Sequence, residues 1–123
     1  MRSGEVALDR SEEGLTVVTT TGEHDLSTAP ALRSQLDQLI GDGDPIVVDL
    51  SEATFIDSSI LGTVLQGHRD ATEKGVGFAV AHADGADAVR RVLEITGLKQ
   101  ELPVYSSREE ALARARDGHE TGR

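Results

Sequence analysis

Short apolar runs, each too brief to be a helix, alternate along this chain with segments whose apolar residues recur at helical spacing. Leu15 to Thr21 is rich in β-branched residues, and Ile46-Val47-Val48-Asp49-Leu50, Phe78-Ala79-Val80-Ala81 and Leu102-Pro103-Val104-Tyr105 are further runs of this kind. Between them Leu32, Leu36, Leu39 and Ile40 share one helical face, as do Leu61, Val64, Leu65 and His68 or Ala71, and then Ala86, Val89 and Leu93. Strands separated by helices must lie mostly parallel, with helices as cover. The expected order is β-β-α-β-α-β-α-β-α: an α/β fold with a mixed, mostly parallel sheet of about five strands covered by four helices. Val6-Ala7-Leu8 leads as an edge strand, and Pro103 marks the last strand as an edge.

Punctuation supports these boundaries. Ser27 or Thr28 caps the first helix, Pro30 suits its first turn, and Gly41-Asp42-Gly43-Asp44-Pro45 stops it. Asp57 or Ser58 begins the second helix, Asp84 the third, and Ser106 or Ser107, with Glu109 or Glu110, the fourth. At 123 residues there is room for a single domain, expected over residues 1–117 with a polar tail at 118–123. Phe55, Phe78 and Tyr105 are the only aromatics, so the core is aliphatic.

The segment Asp49 to Ser59 carries the chemistry. A buried strand leads into a polar loop, then Phe55-Ile56 forms an apolar anchor, and one acid and two hydroxyls open a helix near the carboxyl end of that strand. Open α/β sheets place their functional groups there. Asp57, Ser58 and Ser59 are each able to cap orphan N–H groups. One cap suffices, so a second exposed hydroxyl offers a phosphate acceptor. Phosphate there adds roughly −1.5 to −2 charges, which the helix N-terminus favours and Asp57 opposes. Residue chemistry alone leaves capping and phosphate acceptance both open.

Asp49 to Gly62, above all Phe55-Ile56-Asp57-Ser58-Ser59 with Leu61-Gly62, closely resembles the phosphorylation segment of STAS domains, nearest to the bacterial anti-sigma factor antagonists. Three further stretches resemble the family in the right order: Gly22 to Ala29, Val89 to Leu98, and Leu102 to Tyr105 with Ser107 to Leu112. The resemblance implies the STAS fold and a non-enzymatic, cytoplasmic regulator. Its unphosphorylated form binds an anti-sigma factor serine kinase and frees the sigma factor. Phosphorylation of Ser58 ends that binding, and a phosphatase restores it. The implied partner surface comprises Glu23, Asp25, Asp57, Ser58, Ser59 and Ile60. Ile60 stands where the family usually has glycine, so it either obstructs the kinase or contacts a particular partner. That departure motivates an alternative, a STAS-like structural subunit of a lipid-transport or stress-signalling complex without phospho-switching. A small-ligand binder using the strand ends is a more distant alternative.

Other chemistries are excluded on composition and spacing. Twelve basic residues scattered among twenty-two acids give a net charge of −10, which suits neither nucleic acid nor an anionic membrane. No apolar run reaches the roughly 18 residues of a membrane span, and Met1 to Arg10 lacks the apolar region of a signal peptide. There is no cysteine. Glu23-His24-Asp25 is adjacent rather than spaced like metal ligands and is expected as a solvated loop or partner rim. His68 and His82 are expected as satisfied core or surface histidines, and Arg90 and Arg91 as a solvated face. Gly75-Val76-Gly77 lacks the rest of a dinucleotide fingerprint, and Ser58 lacks a hydrolase nucleophile elbow. No metal or cofactor is expected, and the chain is expected as a monomer or weak dimer.

Overall fold

The structure is a computed structural model that describes residues 4–10, 14–82, 91, 94, 95, 97 and 101–118. Its strands are β1 (Glu5–Arg10), β2 (Thr16–His24), β3 (Ile46–Ile56), β4 (Phe78–Ala81) and β5 (Val104–Tyr105). Its helices are α1 (Ala29–Asp42), α2 (Ser58–Glu73) and a last helix, α3 (Arg108–Asp117). The sheet order is β1-β2-β3-β4-β5, with β1 antiparallel to β2 and every other pairing parallel. The mixed, mostly parallel sheet is the expected one. Most of the helix expected from Asp84 lies outside the described residues; Arg91, Glu94 and Ile95 within it are helical.

Alternation along the strands divides the core in two. Val18, Ile46, Val48, Leu50 and Val80 face one side and meet Leu32, Leu36, Leu39 and Ile40 of α1 with Ile60, Leu61, Val64 and Ala71 of α2. Leu15, Val17, Val47, Ala79 and Ala81 face the other side, against Ala111 and Ala115 of α3. The two alanines let α3 lie close on a thin layer of small side chains. At Gly67 a Cβ would come within 3.0 Å of Leu36 Cδ1, so α1 and α2 meet where α2 has no side chain. Arg33 of α1 ties the pair by ion pairs to Asp37 and, at 3.0 Å, to Asp70 of α2. Gly43 ends α1 in a left-handed conformation (φ 83°), its N–H donating to the Leu39 and Ile40 carbonyls.

Three local expectations are corrected. β3 does not stop at Leu50 and enter a polar loop; it continues to Ile56, paired with β2 through two register shifts. β2 likewise runs through Gly22 to His24. The anchor is half of what was expected, since Ile56 is buried but Phe55 is 46% exposed. Successive side chains of a strand face opposite sides of the sheet, so only one of the pair turns into the core. Of the two serines offered as the cap of α3, Ser107 takes the role, accepting from the Glu110 N–H.

Candidate functional site

β3 delivers the chain directly to α2, and Asp57 is the joint. Its backbone is extended, and its Oδ1 accepts from the N–H groups of Ser59 (3.0 Å) and Ile60 (3.2 Å). The Ser59 hydroxyl donates to the same carboxylate oxygen, and the Ser59 carbonyl accepts from Thr63 Oγ1 at 2.9 Å. Asp57 and Ser59 are therefore occupied in closing the helix start. Ser58 is exposed, and its hydroxyl has no hydrogen-bond partner among the described residues. The two serines, indistinguishable to a capping argument, are separated by geometry: one is a strut and the other faces solvent.

Ile60 is fully buried in the core beneath the first turn of α2. This corrects its expected place on the partner surface. The helix seats its first turn on the sheet, so the side chain points inward and leaves the face around Ser58 unobstructed.

The neighbouring turn repeats the same device. Asp25 Oδ1 accepts from Ser27 N at 2.9 Å and from Ser27 Oγ at 2.6 Å, as Asp57 does from Ser59. The Ser27 hydroxyl and N–H hold the Asp25 carboxyl below its ordinary value. Two Asp-x-Ser clasps thus sit side by side at the carboxyl ends of β2 and β3. Each displays its middle residue, Leu26 in one and Ser58 in the other, and Leu26 is 72% exposed. The repeat is legible in the sequence as Asp25-Leu26-Ser27 and Asp57-Ser58-Ser59.

His24 is buried rather than part of a solvated loop, which corrects that expectation. Its Nε2 lies 3.0 Å from the Thr21 carbonyl, to which it can only donate, and its Nδ1 lies 3.2 Å from Thr28 Oγ1. The same Thr28 hydroxyl accepts from Asp25 N at 3.1 Å. The imidazole is thus the filler that fixes the first clasp, and Gly4 leaves it room: a Cβ there would overlap the ring. Glu23 and Asp25 remain exposed on either side. Register places Glu23 beside Phe55 and His24 beside Ile56, so five of the six expected site residues gather around the two clasps, and Ile60 lies beneath.

Among the described residues there is no cluster of His, Asp or Glu fit to hold a metal ion, and no helix is long and apolar enough to cross a membrane. A groove of about 240 Å³ lined by His68, Phe78, Tyr105 and Arg114 lies at the amino end of β4, away from the clasps.

A family model described as the STAS domain matches residues 8–111. The anti-sigma F factor antagonist of Paenibacillus polymyxa is 34% identical over 101 residues, covering 80% of this chain and 85% of that protein. The crystal structure of an anti-sigma factor antagonist from Mycobacterium paratuberculosis is 31% identical, with a TM-score of 0.81 over 94% of this chain and 96% of that one. The phosphorylated form of the Bacillus cell fate determinant SpoIIAA shares the fold, with a TM-score of 0.64 at 23% identity over 89% of this chain and 98% of that one.

Proposed function

The chain belongs to the STAS domain family, in its branch of anti-sigma factor antagonists, and on that premise we propose that it binds an anti-sigma factor serine kinase through the two clasps and is released when Ser58 is phosphorylated. The observation that carries this reading is the division of labour at the head of α2. Asp57 engages Ser59, leaving the Ser58 hydroxyl exposed and without a hydrogen-bond partner among the described residues. The chain supplies the acceptor; ATP, magnesium and catalysis belong to the kinase, and a phosphatase resets the switch in the cytoplasm.

The physical logic is asymmetric. In the free chain, phosphate on Ser58 sits in water at the N-terminus of a 16-residue helix, whose orphan N–H groups tolerate an anion. Under a docked partner the same group must be stripped of water beside the Asp57 carboxylate. An unpaired buried charge costs several kcal/mol, and every 1.4 kcal/mol is tenfold in affinity. Phosphorylation thus ejects the partner without unfolding the antagonist.

The structural-subunit alternative was motivated by Ile60. With that side chain in the core, no observation favours it over the switch.

The test is incubation of the chain with each serine-kinase anti-sigma factor of its source organism and Mg-ATP, read by intact mass. One phosphate on the wild type, none on Ser58→Ala and one on Ser59→Ala are expected. Phosphate on Ser59, or none with any kinase, contradicts the reading.

A further inference from the structure

One of the chain's two phenylalanines is left half in solvent on a strand. Thr19, Thr21 and Glu23 alternate along one face of β2, and their partners on β3 are Asp49, Glu52 and Phe55. Residues opposite one another share a face, so Phe55 lies on the α3 side of the sheet. The last described group of α3 to reach over this part of the face is Arg108, whose guanidinium binds Asp49 at 2.8 Å and Thr19 at 3.3 Å. Beyond it, toward the clasps, Phe55 is flanked by exposed Glu23 and Glu52. Around the corner, Leu26 stands at the tip of its clasp beside exposed Asp25.

Among the described residues, the charges flanking Leu26 and Phe55 on β2, β3 and the clasps have one sign. Between Arg10 and Arg69 the chain carries a single basic residue, Arg33, and that side chain is bound to Asp37 and Asp70 on the helical side. The edge carrying Leu26, Phe55 and Ser58 therefore presents Glu23, Asp25, Glu52 and Asp57 with no Lys or Arg from its own segments. An exposed apolar residue ringed by acids is complementary to an apolar recess ringed by Lys and Arg.

We infer that Leu26 and Phe55 are the two apolar anchors of the docking surface, and that the partner's matching face consists of apolar recesses edged by Lys and Arg. This rests on the partner reading above and adds to it the residues that hold the partner and the chemistry of the face they meet. The acids draw the basic face in, and the anchors hold it once water is excluded. A basic rim would itself attract phosphate, so phosphate on Ser58 breaks the contact only because Ser58 lies under the apolar part of that face, where the added charge is desolvated beside Asp57 without a cation.

The experiment is titration calorimetry of the chain with the anti-sigma factor that phosphorylates it, in the absence of ATP, at low and at raised salt. Leu26→Ser and Phe55→Ser should each weaken binding about tenfold or more with unchanged circular dichroism and Tm. Leu8→Ser, a comparably exposed leucine on β1, should bind as the wild type does. Wild-type affinity should fall as salt rises, and the double variant Glu23→Lys with Glu52→Lys should bind more weakly and lose that salt dependence. If the wild type fails to bind, the partner reading itself fails. If the wild type binds and both serine variants bind equally well, or if the lysine variant binds more tightly, the anchor assignment is overturned and the partner reading stands.

Discussion

At the head of α2 a single carboxylate decides which of two adjacent hydroxyls is available. Asp57 accepts two backbone N–H groups and the Ser59 hydroxyl, so Asp57→Ala removes the N-cap and should lower stability by about 1 kcal/mol, measured by urea titration. Ser58→Ala removes no bond within the described residues and should leave stability within about 0.5 kcal/mol. Ile60 is fully buried, so Ile60→Gly should cost about 3 kcal/mol or more, combining a core cavity with glycine in a helix. A loss near zero would return Ile60 to the surface. The sequence made the cap legible, because an acid followed by two serines after an apolar pair has few other uses. It did not reveal the fate of Ile60. The direction in which a first-turn residue points is set by how the helix seats on the sheet, and no local pattern encodes that. His24 was misjudged for a related reason: an imidazole between two acids reads as solvated until a carbonyl and a threonine hydroxyl are brought to its two nitrogens.

Among the elements, β3 diverges furthest from its sequence pattern. Ile46 to Leu50 announces itself as a strand, whereas Ser51 to Phe55 carries too few apolar residues to do so. What extends it is the main chain of β2, which pairs to its end through two register shifts that no composition rule anticipates. Helix placement was clearer, because glycine stops and polar caps are local chemistry, although the hydroxyl cap expected for α1 is not made: Thr28 holds the N-cap position with no side-chain cap bond, its hydroxyl engaging the Asp25 main chain. The last helix is held to the sheet by Arg108, which donates to the buried Asp49 carboxylate at 2.9 Å from Nε. Arg108→Ala takes the charged partner from that buried carboxylate, to which the Ser51 N–H also donates, and should cost about 1–3 kcal/mol, read as a fall in the denaturation midpoint. On α2, His68 packs its ring 5.8 Å from Phe78, and this desolvation holds its imidazole below the ordinary value. The unfolded chain therefore binds the proton more readily, so stability rises with pH below the ordinary imidazole range and is lost as pH falls. Urea midpoints should be lower at about pH 5.5 than at about pH 7.5, and His68→Gln should remove part of the difference.

Across the whole molecule the two sides of the sheet are unequal. One is thickly covered by α1 and α2, whereas the described cover of the other is a helix seated on alanines, with open acidic sheet beyond Arg108. Part of the net charge of −10 is gathered at the carboxyl ends of β2 and β3, where the acids surround the exposed Ser58 hydroxyl. On the proposed mechanism the switch is local: phosphate on Ser58 alters the charge at one exposed point, and the core beneath, including Ile60, keeps its packing. On the proposed mechanism Ser58 governs docking by its charge. This is tested most directly by titrating the same anti-sigma factor with the unphosphorylated chain and with the chain phosphorylated on Ser58. An affinity lower by about a hundredfold or more is expected for the phosphorylated form, with the Tm of the free chain little changed. Equal affinity of the two forms, or a loss of affinity that follows from unfolding of the free chain, would contradict it.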